Sequence, residues 1–379
     1  MGTRGALLAP AEVAGGGAEL RQEHLDLRDS VRALLSSRHS EEVLRQREGR
    51  AEEFDRDLWQ AFGGELGAAG LTIPEEYGGH GFGWVEQSIT LQEAGRSLYS
   101  GPLLSTVGLA IPALLAAENE QVKQELLPKI AEGALLATAA LPALGHEFTI
   151  AATVSGAEAT VSGTLSGVLD ACHADALLLV ASDDHGGSLY LVEPGPTVTI
   201  RGLRGLDLAR SVAKVEFQQA PARRISNGRA AEIVNKVRDR ALLALAAEQL
   251  GCADRAVEMS AEYAKTRVQF DRPIGSFQAI KHMCANMAVG LESMRAIVEH
   301  AAWLADNRPE HLPAAATAAK MFCSETAGSI TADTIHVHGG IGFTWEHSAH
   351  LYFRRARASE VMFGEPDRYR TELADRLAM

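Results

Sequence analysis

The stretch that decides the fold is IHVHGGIGFTWEHSAHLYFRRARASEVMFGEP, residues 335–366. It contains three closely spaced glycines, Gly339, Gly340 and Gly342, and glycine allows a backbone to approach a ligand or another segment closely. A pair of arginines follows, and the stretch reads Met-Phe-Gly at residues 362–364. Taken alone, HGGIG is a weak glycine motif.

A second motif lies upstream in TRVQFDRPIGSFQAIKH, residues 266–282. It contains Arg267, Phe270 and Gln278. A guanidinium group suits a phosphate ligand, because its planar fork can hold two phosphate oxygens at once. Together, in this order and at this distance, the two motifs resemble the pattern of a known family more closely than either motif does alone.

Composition narrows the class of protein. A chain of 379 residues is long enough for two or three domains. The net charge of -13 argues against a nucleic-acid ligand, which requires a clustered basic surface. No stretch is long and apolar enough to cross a bilayer, and the N-terminus lacks a signal-peptide core. We therefore expect a soluble, cytoplasmic protein with no membrane partner.

The cysteines are far apart in the sequence and form no CxxC pair, which favours thiols in a reducing compartment and no metal site. They are Cys172, Cys252, Cys284 and Cys323.

Periodicity predicts a mainly α fold with a small β domain. Residues 1–17 are predicted to be disordered, 18–140 to form an N-terminal helical domain, 141–224 a middle, mostly antiparallel β domain, and 225–379 a C-terminal helical bundle. The β prediction rests on strict alternation of apolar and charged residues through Ala213–Phe217. The helical predictions rest on apolar residues three and four apart. Two such sets are Leu27, Val31, Leu34 and Leu35, and Ile280, Met283, Met287, Leu291, Met294 and Val298.

These motifs, with the segment WQAFGGELGAAGLTIPEEYGGHGFG at residues 59–83, resemble the acyl-CoA dehydrogenases, and the resemblance runs from about residue 20 to the end. It implies an N-terminal helical domain, a middle antiparallel β domain and a C-terminal four-helix bundle. It also implies FAD as cofactor, an acyl-CoA or other acyl thioester as substrate, a homo- or hetero-oligomer built as a dimer of dimers, and an electron-transfer protein as possible acceptor.

The resemblance assigns residues to the cofactor. They match positions where the family binds the pyrophosphate and adenosine of a flavin housed mainly in the neighbouring subunit, and they are Arg267, Phe270, Gln278, His336, Gly339 and Gly340.

The sequence departs from the family pattern at several of these places. Asp271 stands where glycine commonly follows the phenylalanine, and His336 where glutamine is usual. LPALGHE, residues 141–147, replaces the segment that normally lines the flavin and the thioester, and Ser166 and Val168 replace the tryptophan and threonine that pack on the ring. These changes predict a weakened flavin-ring pocket in this subunit.

The catalytic position is the most telling departure. Dehydrogenation of an acyl thioester requires a general base for the α proton, and Phe363 stands where the family usually has a glutamate. Some members place their carboxylate on the first helix of the C-terminal domain, a position matched here by Asp239, followed by Arg240 as a substrate contact. The alternative for Asp239 is a structural carboxylate paired with Arg238 or Arg240. Glu360 flanks the vacated position and is expected on the solvated surface, as is Glu365.

Two main hypotheses follow. In the first, the chain is an active FAD-dependent acyl-CoA dehydrogenase that uses Asp239. In the second, it is a catalytically incomplete partner subunit of an α2β2 assembly, of the kind found among actinobacterial members, and donates dinucleotide contacts to a flavin in another polypeptide. A third, flavin-independent use of the fold has no positive support in the sequence.

Overall fold

A computed structural model describes residues 21–46, 53–142, 150–155, 158–184 and 186–376. The predicted disordered N-terminus, residues 1–17, lies outside them. The described chain divides into two compact units. We call residues 36–83 and 99–244 the sheet unit. The helical unit comprises residues up to Leu35, Trp84–Leu98 and the residues from Leu245 onward.

The helices were predicted from periodicity and form largely as expected. In chain order they are α1 (Gln22–Arg38), α2 (Glu41–Gln46), α3 (Arg56–Trp59), α4 (Trp84–Arg96), α5 (Leu103–Ser105), α6 (Ile111–Ala116), α7 (Glu120–Ala131), α8 (Ala230–Thr266), α9 (Gln278–Asn307), α10 (Leu312–His338), α11 (Ala349–Val361) and α12 (Pro366–Arg376). Two π-helical stretches, Gln60–Glu65 and Thr106–Ala110, continue α3 and α5.

The sheet has seven strands and a mixed topology. The strands are β1 (Ala137–Ala140), β2 (Ala151–Ser155), β3 (Glu158–Leu169), β4 (Ala176–Ala181), β5 (Ser188–Val192), β6 (Val198–Gly202) and β7 (Val212–Arg224). Their order is β1-β4-β5-β7-β3-β2, and β6 pairs with β7. The β1–β4 pair is parallel and the other pairs are antiparallel. The sheet thus begins at Ala137, inside the segment that the sequence analysis gave to the helical domain.

Alternation along β7 confirms the period that predicted it. Ala213, Val215 and Phe217 are buried in the core of the sheet unit, while Lys214 and Glu216 are half-buried and form an ion pair. Successive strand residues face opposite sides, so this register places the apolar set on one face.

The N-terminal part of the sheet unit is fixed by a buried tryptophan. Trp59 is fully buried, and its Nε1 donates a hydrogen bond to the Gly133 carbonyl at 3.0 Å. The Glu75–Tyr77 turn follows and ends at Gly78, whose φ of 75° is readily adopted by glycine.

In the helical unit, the predicted stripe on α9 is buried at its four C-terminal members, Met287, Leu291, Met294 and Val298. Ile280 and Met283 are only half-buried. The same helix ends near Asp306, whose carboxylate accepts hydrogen bonds from the Trp84 and Val85 backbone N–H groups at 2.7 and 3.1 Å. Asp306 therefore satisfies the first backbone donors of α4, as a capping side chain does.

The four cysteines lie within the described residues as thiols, and none of them is in a disulfide bond. None of the described helices combines the length and the apolar content that a bilayer span requires.

Candidate functional site

A short hairpin at the end of α8 presents the first group of predicted cofactor residues. The strands β8 (Val268–Gln269) and β9 (Arg272–Pro273) are joined by Phe270 and Asp271, with φ angles of 53° and 58°. Positive φ at both central residues defines the tight turn that best matches strand twist. The Phe270 ring is 85% exposed. The hairpin therefore projects an aromatic ring and a carboxylate outward, and Asp271 occupies a conformation that glycine would adopt without strain.

The glycine turn presents the second group. α10 ends at His338, and Gly339–Phe343 form a 3₁₀ turn with Gly339 at φ 61°. A Cβ atom built on Gly339 or Gly340 would meet no other atom within 4 Å. The space beside these two α carbons is thus open, whereas the Gly339 backbone N–H is already used, because it donates to the His336 and Ile335 carbonyls at the end of α10.

The remaining predicted cofactor residues also face outward. Arg267, Gln278 and His336 are exposed, and the His336 ring lies 3.9 Å from the Asp333 carboxylate. The Ile274 backbone N–H donates to the Arg267 carbonyl at 2.8 Å, which ties the hairpin to the turn before α9. Exposed donors and open backbone are what an anionic dinucleotide would need from this chain.

The hairpin and the glycine turn belong to one arrangement in the helical unit. Tyr263, one turn before Arg267, stacks on His338, the residue before Gly339, with ring centroids 4.5 Å apart. Sequence reasoning did not identify Tyr263 or His338. Their one available signal was position, since His338 directly precedes Gly339 and Tyr263 lies one helical turn before Arg267.

The proposed base sits on α8 in the sheet unit and is held by its neighbour. Asp239 is 7% exposed, and its Oδ1 accepts hydrogen bonds from Arg238 Nε and Nη2 at 3.2 and 2.9 Å. Arg240 is half-buried and donates from Nη1 to the Lys236 carbonyl at 3.2 Å. Arg238, one of the two arginines offered as structural partners, forms an ion pair with Asp239. The catalytic role of Asp239 and the substrate role of Arg240 stay predictions.

Phe363 is a buried residue at the position where the family usually has a glutamate. The side chain is 5% exposed, the backbone has φ 62°, and the Tyr369 hydroxyl donates to the Phe363 carbonyl. A phenyl ring has no atom that can accept a proton. Of the flanking carboxylates, Glu360 is half-buried and its Oε2 accepts a hydrogen bond from Arg357 Nη1 at 2.6 Å, whereas Glu365 is exposed.

A buried lysine holds the helix end that leads to Phe363. Lys320 Nζ on α10 donates to Ser324 Oγ at 2.8 Å, to the Ser359 carbonyl at 2.9 Å and to the Glu360 carbonyl at 2.8 Å. All three ammonium protons are used, two of them on carbonyls at the C-terminus of α11. Burial lowers the pKa of Lys320 to about 7, and the nearby Glu360 charge opposes that shift only in part.

The two arginines of the opening stretch have separate roles. Arg355 is buried and forms an ion pair with Glu248, so it belongs to the core of the helical unit. Arg354 lies over the exposed Trp345 ring, with the guanidinium carbon 5.5 Å from the ring centroid. Neither contact provides a base for the Phe363 position.

The two residues predicted to face the flavin ring, Ser166 and Val168, lie in the sheet unit. Ser166 is exposed beside a register shift in the β3–β7 pairing, and Val168 is buried in the sheet core with 1% of its surface exposed. Most of LPALGHE, residues 143–147, lies outside the described residues. Val168 is therefore committed to internal packing, while Ser166 offers a small polar group.

Comparison with known proteins gives matches at both ends of the chain. Residues 21–134 match the sequence model of the acyl-CoA dehydrogenase N-terminal domain, and residues 234–378 match that of the acyl-CoA dehydrogenase C-terminal domain.

Individual proteins are similar over nearly the whole chain. Acyl-CoA dehydrogenase IpdE2 of Mycolicibacterium smegmatis is 33% identical over 92% of this chain and 96% of its own length. The ChsE4–ChsE5 complex from Mycobacterium tuberculosis contains a chain that is 29% identical, with a TM-score of 0.85 over 95% of this chain and 98% of that one. A variant of the Tcur3481–Tcur3483 steroid ACAD is 28% identical, with a TM-score of 0.84 over 94% and 98%.

Proposed function

Because the chain belongs to the acyl-CoA dehydrogenase family, oxidoreductases that bind FAD, we propose that it is the partner subunit of a heteromeric acyl-CoA dehydrogenase. In this role it donates contacts to the FAD dinucleotide, and a second polypeptide supplies the general base. The assembly oxidises an acyl-CoA thioester between its α and β carbons. One similar chain of known structure belongs to a complex of two named proteins, ChsE4 and ChsE5, and this supports the proposal.

The observation that carries the proposal is an imbalance within the helical unit. The hairpin and the glycine turn expose donors and open backbone, whereas the usual base position holds the buried, apolar Phe363. This imbalance supports a chain that binds the dinucleotide and does not itself perform proton transfer at the usual base position.

Each exposed residue has a definite task in this reading. The Arg267 guanidinium would neutralise pyrophosphate oxygens, and the exposed backbone of Gly339 and Gly340 would let the same group approach closely. Gln278 and His336 would add donors toward the adenosine half, and the exposed Phe270 ring would contact the same dinucleotide. Bound FAD supplies the acceptor for the substrate hydride.

The active-enzyme reading keeps one supporting observation, the buried carboxylate of Asp239. The ion pair with Arg238 weighs against it, because that contact gives the carboxylate a structural role. The same proposal includes a dimer-of-dimers assembly, an electron-transfer protein as the acceptor and a cytoplasmic location.

The test is purification of the chain alone and together with candidate flavoprotein partners from its own genome. We expect a colourless chain that acquires FAD absorbance in a co-purified heteromer, whose dehydrogenase activity survives Asp239→Asn. The active-enzyme reading would be established instead by stoichiometric FAD in the isolated chain, if acyl-CoA bleaches that FAD and Asp239→Asn abolishes the bleaching.

A variant pair tests the dinucleotide contact directly. Arg267→Ala should lower FAD retention by the heteromer, since it removes the guanidinium. Arg308→Ala, an exposed arginine after the distant end of α9, is the control and should retain FAD as the wild type does. Equal retention in both variants would refute the assignment of Arg267.

A further inference from the structure

Three aromatic rings from separate segments of the helical unit form a stack next to the glycine turn. Tyr263 lies near the end of α8, His338 is the last residue of α10, and His347 follows the turn. The Tyr263 and His338 rings have centroids 4.5 Å apart and an interplanar angle of 27°. The His338 and His347 rings have centroids 4.3 Å apart and an angle of 46°. His338 therefore contacts a ring from each of the other two segments.

Hydrogen bonds fix the tautomers of both imidazoles. His338 Nδ1 lies 2.7 Å from the Thr334 carbonyl, and because a carbonyl only accepts, this nitrogen carries the proton. His347 Nδ1 accepts from the Ala349 backbone N–H at 3.1 Å, so this nitrogen is unprotonated. His338 is 4% exposed, and burial lowers its pKa below the ordinary value. The Nδ1 hydrogen bonds thus hold both imidazole rings in defined orientations.

The stack also joins the two halves of the dinucleotide surface. The Arg267 backbone N–H donates to the Tyr263 carbonyl at 2.8 Å, so Tyr263 sets where the hairpin begins. On the other side Gly339 follows His338 directly, and a Cβ on Gly342 would lie 3.0 Å from His338 Cβ. The glycine turn therefore folds back against His338.

We propose that His338 is a positioning residue of the dinucleotide site. Its ring, held between Tyr263 and His347, fixes the distance between the Arg267 hairpin and the exposed backbone of Gly339 and Gly340, so that both reach one pyrophosphate. Donors held in advance bind more tightly, because no ordering cost is added on binding. This inference rests on the proposed function and adds the element that holds its two contact segments in register.

The test compares ring-retaining and ring-removing substitutions in the heteromer. His338→Phe keeps an aromatic ring between Tyr263 and His347, whereas His338→Leu has no ring. Loss of two ring contacts predicts that His338→Leu raises the FAD dissociation constant about tenfold, while His338→Phe stays near the wild type. FAD is measured by visible absorbance after dialysis, and the unfolding temperature of each FAD-free chain is recorded in parallel.

A control separates positioning from general destabilisation. Ile330→Ala removes a buried side chain two turns earlier in α10, outside the stack, and should lower the unfolding temperature while FAD affinity well below that temperature is unchanged. Equal loss of FAD in His338→Phe and His338→Leu would overturn the inference, as would wild-type affinity in His338→Leu. If Arg267→Ala leaves FAD affinity unchanged, the proposed function itself fails.

Discussion

Replacing Lys320 by Met tests how a buried cation is held inside the helical unit. Lys320 is fully buried on α10 and donates all three ammonium protons, two of them to carbonyls at the end of α11. Met has a similar length and carries no charge. The absolute stability of Lys320→Met is not diagnostic, because lost hydrogen bonds and relieved desolvation act in opposite directions. The pH dependence of stability is diagnostic.

The magnitude follows from the pKa of Lys320. Burial lowers it from 10.5 to about 7, so between these pH values the unfolded chain binds a proton that the folded chain does not. The wild type should therefore gain unfolding free energy as pH rises through this window, at up to about 1.4 kcal/mol per pH unit. The full effect is at most about 5 kcal/mol. Between pH 7 and pH 9 the expected gain is about 2 kcal/mol relative to Lys320→Met.

The assay is urea unfolding of the wild type and Lys320→Met at several pH values from 6 to about 9. Other groups titrate in this range, including the neighbouring Cys323, whose pKa burial raises. Both proteins contain Cys323, so the difference between the two curves largely isolates Lys320. Lys265→Met, at an exposed lysine of α8, should follow the wild-type curve. If the wild type and Lys320→Met show parallel curves, the lowered pKa of Lys320 is refuted.

Three further predictions concern single positions. Asp271→Gly and Asp271→Asn both remove a carboxylate from a left-handed backbone position in the hairpin. Each variant should therefore raise FAD retention about threefold. A gain in Asp271→Gly alone would show that backbone strain, and not charge, is responsible. Gly340→Ala should weaken FAD binding and leave the unfolding free energy within about 0.5 kcal/mol of the wild type. Gly342→Ala should lower the unfolding free energy, because its Cβ would lie 2.9 Å from a backbone carbonyl oxygen. Equal stability of the two variants would contradict the turn geometry. Asp306→Ala should cost about 1–2 kcal/mol in denaturant unfolding, because it removes two hydrogen bonds from the start of α4, and a neutral result would exclude the capping role.

Local patterns in the sequence determined the architecture. Alternation through Ala213–Phe217 predicted a strand with one buried face, and the stripe from Met287 to Val298 predicted the buried side of α9. Glycine and arginine motifs at fixed distances predicted the family and the two segments of the dinucleotide surface. These features were readable because each depends on residues within a few turns or strand repeats of one another.

Partners that lie far apart in the chain were decided by tertiary packing alone. β1 pairs in parallel with β4, and Lys320 caps carbonyls 39 and 40 residues later. The stack of Tyr263, His338 and His347 likewise joins three segments that no periodicity connects. Such contacts depend on how whole elements pack together, whereas the pattern along one element reports only which of its faces is buried. The sequence therefore predicted which ligand surface this chain carries, and only the packing of its helices brings Tyr263 and His338 together between the two segments of that predicted surface.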